Sequence, residues 1–292
     1  MELETRSCTP AGWLGPLALG AALALALAVP SAAQEPVPPA AAPTPARRLD
    51  PRADDILKKM GALLAAAPRF ALEAEETFDE VSENAPRVQL TNLRRVGIER
   101  PSRFAADVTG DTLTRASWYD GRTLTVLDKA RNAYLSVEAP GTIDAVLDKV
   151  ADEYGVVIPL TDLLYADPYA TLSEGVLYGE YLGLHQAAGV LCHHLAFSQA
   201  TIDWQIWIEA GEQPLPRKLV ITYVDEPGQP QYAAVIRRIT LDPKFPEGLF
   251  QFEAPEGATR IDLAEAARRA APQVASPGPQ PSPAPSQKEQ KP

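Results

Sequence analysis

The stretch "GVLCHHLAF" (189–197) brings Cys192, His193 and His194 side by side. The chain has three histidines and two cysteines, and the other cysteine, Cys8, lies near the N-terminus. A thiol beside two imidazoles offers the donor types of a zinc site, or of a nucleophile with its base. The spacing argues against both. The stretch reads as a strand, on which neighbours point to opposite faces. Cys192 and His194 then share one side and His193 faces the other, so the three cannot converge on one ion. A metal would need His185 or carboxylates as well, because structural zinc takes about four ligands. A Cys–His dyad needs hydrogen-bond reach and an orienting third group, and residues i and i+2 on one face sit farther apart than that. A structural role is expected for the three residues, with a metal or redox role, and then nucleophilic catalysis, as alternatives. No cofactor, no metal and no enzymatic activity are expected.

The other candidates could do physical rather than covalent chemistry. In "TIDWQIWIEA" (201–210), Ile202, Trp204, Ile206 and Ile208 share one face, and Asp203, Gln205, Trp207 and Glu209 share the other. The first face is the candidate wall of an apolar ligand cavity. Trp207 among polar neighbours is covered by a loop or tail, or contacts a partner. Leu219, Ile221 and Tyr223 in "RKLVITY" form a similar row, either core or wall. Trp118 and Tyr134, near strand ends, are placed at a cavity mouth, although aromatics on strands are mostly packing. "PLTDLLYADPY" supplies Leu163 and Leu164 as the lid, or as a plain seal over a dry core. The carboxylates Glu73, Glu75 and Glu76 read as a solvated strand face. The patterns of phosphate loops, HExxH metalloproteases and GxSxG hydrolases do not occur.

These residues need elements to position them. Residues 50–67 have helical apolar spacing (Ile56, Leu57, Met60, Leu63, Leu64), started by Asp50 and Pro51 and ended by Pro68. The period then falls to two. Short strands follow at 70–78, 88–100, 103–110, 111–121 and twice within 122–138, an antiparallel meander. A helix is expected at 141–155 with Gly155 as its C-cap, and a second at 159–172 with Pro159 at its first position. Strands return at 176–184, 189–198, 201–209, 216–224, 231–241 and 249–253, and a helical turn at 261–270. The fold class is mainly β within α+β. It is a curled antiparallel half-barrel sheet of about 10–11 strands, closed by helices on the concave side, because accumulated twist forbids a flat sheet this wide.

The ends carry a different composition. Residues 13–29 form an apolar run, and "PSAAQE" follows with Ser31 and Ala33 at small-residue positions, which predicts a secretory signal peptide at 1–33. The alternative is an uncleaved anchor. A Pro/Ala-rich linker at 34–49, one domain at 50–270 and a Pro-rich tail at 271–292 complete the division. Export to the periplasm follows from the signal. The net charge of −11 excludes the basic patch that nucleic acid needs.

"CHHLAFSQATIDWQIWIEAGEQPLPRKLVITY", with "PQYAAVIRRI" and "FQFEAPEGATRIDL", resembles a bacterial family of predicted periplasmic proteins of unknown function. That family is similar to proteins sharing the fold of the periplasmic carrier of outer-membrane lipoproteins. The resemblance spans about residues 50–265. It implies an incomplete antiparallel barrel, closed by helices, with an apolar cavity for acyl chains, and it implies no reaction. The expected function is a periplasmic carrier whose partner is a lipid or an acylated protein. Its wall is Trp204, Ile206, Leu219, Ile221, Trp118 and Tyr134, and its lid Leu163 and Leu164. The alternative is a sensor that reads a lipid signal for an envelope protein partner, with transient membrane contact.

Overall fold

The structure is a computed structural model that describes residues 47–262, apart from 83, 84, 112, 140 and 155–157. The chain opens with β1 (Arg48–Leu49) and α1 (Pro51–Ala66). A first meander follows: β2 (Arg69–Ser82), β3 (Ala85–Glu99), β4 (Arg103–Gly110), β5 (Thr114–Tyr119), β6 (Thr123–Asp128) and β7 (Ala133–Glu138). Then come α2 (Ile143–Tyr154), a 3₁₀ turn (Thr161–Leu163) and α3 (Pro168–Ser173). A second meander is built from β8 (Tyr178–Ala187), β9 (Val190–Ser198), β10 (Ile202–Glu209), β11 (Pro216–Tyr223) and β12 (Gln231–Leu241), and β13 (Thr259–Arg260) ends it.

All thirteen strands join one curved, unclosed sheet in the order β1-β8-β9-β10-β11-β12-β2-β3-β4-β5-β6-β7-β13. The last long strand of the second meander, β12, pairs antiparallel with the first strand of the first, β2. This fuses the meanders at mid-sheet and sends β7 and β8 toward opposite edges. The segment between them must therefore cross the full width of the sheet over one face. That crossover carries α2, the 3₁₀ turn and α3, and α1 packs against α3, β8 and β10. The two-residue strands β1 and β13 pair in parallel with β8 and β7 and blunt both edges.

Helix α1 forms where its sequence signals place it. The Asp50 carboxylate accepts from the N–H of Arg52 at 2.7 Å, satisfying a helix-end donor, and Pro51 sits in the first turn. Its buried stripe of Ile56, Leu57, Met60 and Leu64 lies in the main core. Each such side chain contributes about 1.5–3 kcal/mol through burial. A Cβ at Gly61 would stand 2.7 Å from Tyr169 Cβ, so only glycine lets α1 and α3 approach this closely.

The described structure departs from the sequence reading in three elements. The expected helix over 159–172 does not form as one: Leu160, with φ 71°, cannot belong to a right-handed helix, and Asp167, non-helical before Pro168, interrupts the run again. A single 3₁₀ turn remains, and helix resumes at Pro168, capped by Asp167, whose carboxylate accepts from Ala170 N–H at 3.0 Å. The expected strand at 249–253 is a turn and irregular chain. The chain over 245–252 instead straps the convex face: Phe252 packs on Trp118 and Tyr134, and the Phe245 ring lies over Gly97, which has no side chain to block it. The solvated acidic face holds for Glu73 and Glu75, which pair with Arg95 and Arg237 at the surface. It fails for Glu76, which is 2% exposed on the concave side. The signal peptide, nearly all of the linker, Gly155, the helical turn beyond 262 and the tail lie outside the described residues.

Candidate functional site

Strand parity and register decide which side chains face the helices. On β10, Trp204, Ile206 and Ile208 join the main core, as do Leu195 and Phe197 on β9, Leu219 on β11 and Tyr232, Ala234 and Ile236 on β12. On the other half, Phe70, Leu72 and Ala74 on β2, Val96 and Ile98 on β3, Phe104 on β4 and Tyr119 on β5 do the same. Of the expected cavity residues, Trp204, Ile206 and Leu219 lie on this concave face, and Leu163 and Leu164 come down on it from the crossover; all five are buried. Ile221 is half-buried beside them. Helix α1 packs against β8 and β10, and the face is closed at this point. Trp118 and Tyr134 are elsewhere. Trp118 pairs with Ala105 and Thr125, and Tyr134 with Leu127, in the outward parity, so both stand on the convex face against Phe252. A cleft of about 240 Å³ opens there, lined by Trp118, Asp120, Thr125, Ser136 and Phe252 among others.

The crossover is tied down by a few polar links. Arg100 Nη1 donates to the carbonyl of Leu164 at 2.7 Å, and its Nε and Nη2 are buried without partners. Burial lowers the Arg100 pKa, against the pull of Asp144. Asp144 on α2 accepts from Ala166 N–H at 3.0 Å, and Tyr165 donates its hydroxyl to Asp148 at 2.9 Å. Burial, then the Asp148 hydrogen bond, raises the Tyr165 pKa and keeps that hydroxyl a donor.

Beyond the fully packed region, the concave face is only half covered. Phe78, Ala106, Val126, Ile221 and Tyr223 are partly buried against the core. Within this apolar surface lies a polar island that the sequence reading missed. Glu76 Oε1 accepts from Arg94 Nε at 2.5 Å and from the Tyr232 hydroxyl at 2.8 Å. Three strands supply the three residues: β2, β3 and β12. Cross-strand register sets Glu76 between Ala234 and Asn92, and Arg94 beside Ala74. Ala74 and Ala234 are fully buried, and their small side chains leave room for the long polar ones to lie along the sheet. Asn92 is 5% exposed, and its Oδ1 has no partner. Burial and the Glu76 charge raise the Tyr232 pKa well above its ordinary value, so the phenol stays protonated. The signal available in sequence was parity: Glu76 continues the inward series Phe70, Leu72, Ala74.

Cys192 and the histidines are divided between the two faces. As strand alternation requires, His193 points inward, where its Nδ1 meets the Tyr181 hydroxyl at 3.1 Å. Cys192 and His194 point outward. Cys192 is fully buried with its Sγ on the Val190 carbonyl at 3.4 Å, and burial pushes its thiol pKa up, away from the thiolate that reacts. His194 stacks on Trp207 at 3.9 Å and meets Gln205 Oε1 through Nε2 at 3.0 Å and His185 Nδ1 through Nδ1 at 2.9 Å. With Gln205 Oε1 accepting, His194 carries its proton on Nε2, and its Nδ1 accepts from His185 Nδ1–H. The Lys218 ammonium stands 4.7 Å over the Trp207 ring. Among the described residues, Trp207 is covered by its own sheet neighbours. Among the described residues, no three or more of His, Cys, Asp and Glu gather so as to hold a metal ion.

Residues 53–264 match the family described as predicted periplasmic protein (DUF2092). The chain belongs to that family. The periplasm is accordingly its place, and among the described residues no helix is long and apolar enough to cross a membrane. No curated protein matches the sequence. The chain is similar to an uncharacterized conserved protein from Thermus thermophilus, with 10% identity, 72% of this chain and 99% of that chain covered, and TM-score 0.43. It is similar to the lipoprotein LppX of Mycobacterium tuberculosis, with 12% identity, 67% and 98% covered, and TM-score 0.41. It is also similar to a LolA superfamily protein from Nitrosomonas europaea, with 10% identity, 68% and 97% covered, and TM-score 0.32.

Proposed function

We propose that this DUF2092 protein binds a hydrophobic ligand, a lipid or a lipidated polypeptide, between its concave sheet face and the helical crossover, and carries it through the periplasm. One observation carries the reading. The crossover spans the whole sheet with a 12-residue helix, one 3₁₀ turn and a 6-residue helix. Its cover leaves Phe78, Ala106, Val126, Ile221 and Tyr223 partly exposed on the concave side. Moving an acyl chain from water onto such a surface gains about 0.8 kcal/mol per methylene. Helix α1 closes the face over β8 and β10, where Trp204 and Ile206 are buried, and ligand entry requires the crossover to lift from the rest of the wall. Its short helices and few polar anchors suit it to that motion.

The test is uptake of a fluorescent fatty acid by purified protein. Saturable binding is expected. Ile221→Glu places a charge on the half-buried wall and should weaken uptake about tenfold, the effect of losing roughly 1.4 kcal/mol of contact, while the melting temperature changes little. Absence of saturable binding by the wild-type protein would overturn the proposal.

A further inference from the structure

The concave face of an acyl carrier has no need of charge, yet Glu76, Arg94 and Tyr232 place an ion pair there. Stability does not account for it. A buried ion pair roughly breaks even against apolar residues of similar volume, because the desolvation of both charges cancels their attraction. The island is also incomplete as a structural network. Arg94 uses only its Nε, toward Glu76 Oε1, and its two Nη groups make no hydrogen bond among the described residues. Its side chain is 17% exposed while that of Glu76 is 2% exposed, so the carboxylate forms the floor and the guanidinium the rim. Asn92, next to Glu76 in register, keeps a buried Oδ1 without a partner. Phe78 and Tyr223, apolar and partly buried, lie on the same face.

We propose that the free edge of the Arg94 guanidinium is the head-group seat of the concave face, and that it takes the carboxylate or phosphate oxygens of an amphiphile whose chain lies along the apolar wall. This rests on the carrier reading and specifies its ligand class as an acyl chain with an anionic oxygen head. The paired Nη groups present parallel donors that match two oxygens of such a head. Glu76 and the Tyr232 hydroxyl hold the guanidinium in place: Glu76 fixes Nε, and Tyr232 occupies the same carboxylate oxygen from the other side. Because Glu76 neutralises Arg94, a small free anion gains little there. Binding needs the chain and the head together.

The experiment compares two fluorescent probes of equal chain length, one ending in a carboxylate and one in a methyl group. Wild-type protein should hold the carboxylate probe about tenfold more tightly, as expected for a charge-assisted bidentate contact. The double substitution Glu76→Gln with Arg94→Met removes both charges and keeps an acceptor for the Tyr232 hydroxyl. It should retain the fold and the affinity for the methyl probe and lose the carboxylate preference. Acetate alone should not displace the probe. If the double variant does not fold, the wild-type preference still decides the matter. Equal wild-type affinity for the two probes overturns the head-group seat and leaves the carrier reading standing. So does an unchanged preference in the folded variant, or displacement by acetate. If the wild-type protein binds neither probe, the carrier reading itself falls and this inference with it.

Discussion

His194 shows how one residue type takes its meaning from its surroundings. Burial, then the nearby His185 and Lys218, lowers its pKa from the ordinary 6.5 despite the Gln205 hydrogen bond. Burial, Arg52 and Lys59 do the same to His193. The folded protein therefore favours both imidazoles neutral. A histidine whose folded pKa lies below its unfolded value contributes stability that is complete above the unfolded pKa and is lost as pH falls through the folded one. The prediction is a melting temperature that falls as the pH drops below the ordinary histidine value of 6.5, with a shallower fall in His194→Gln, which cannot take up the proton. Thermal melts across that range check it; an identical pH slope in the variant would remove His194 from the account. The same residues show what the fold does with the reactive types in "CHHL". The reactive types are present, but alternation splits them between two faces, and burial holds the thiol protonated.

Among the elements, the crossover is the one whose local sequence and tertiary role pull apart. Its amphipathic pattern from Pro159 onward favours continuous helix, but Leu160 turns left-handed and the helix restarts only at Pro168 behind the Asp167 cap. The result is a jointed segment held by side chains rather than a rigid rod. Asp144 is one of its ties, bonded to Ala166 N–H and close to the buried Arg100. Asp144→Ala should loosen the crossover, speed uptake of an apolar probe several-fold and lower stability by about 1–2 kcal/mol, the cost of a lost charged hydrogen bond. Stopped-flow fluorescence with a urea titration reads both quantities. Slower or unchanged uptake would mean that the crossover is not the gate.

At the scale of the whole molecule, the sheet has two working faces. The concave face is covered by helices, and the convex face by salt bridges, the histidine–tryptophan stack and the C-terminal strap. The strap covers Gly97 through Phe245 and Trp118 and Tyr134 through Phe252, and Asn132 Nδ2 clasps it by the Glu256 carbonyl at 3.0 Å. Ending the chain after Leu241 would expose this aromatic surface and free the β7 edge, since β13 is lost with it. The truncated protein should self-associate, because uncovered apolar patches and strand edges both invite pairing. Light scattering against the full chain checks this, and a monodisperse truncation would show the strap to be dispensable.

Much of this architecture is local and so is written in the sequence. Period-two alternation marks the long strands within a few residues of most of their ends, because facing core or water is settled strand by strand. Asp50 and Pro51 start α1, and Ile143 with Val146 mark the buried face of α2. The same alternation separates Cys192 and His194 from His193 and assigns Trp204 and Ile206 to one wall. What the tertiary structure decided is which strands are neighbours and which face each strand turns to the helices. Trp118 and Tyr134 have the alternation of wall residues, but their parity relative to Phe104 and Tyr119 puts them outward, and Phe252 covers them from far along the chain. Glu76 reads as one carboxylate in an acidic run. The β2–β3 hairpin brings Arg94 to it, but only the pairing of β2 with β12, which no local pattern encodes, brings Tyr232 and completes the partners that make a buried carboxylate tolerable in an apolar face.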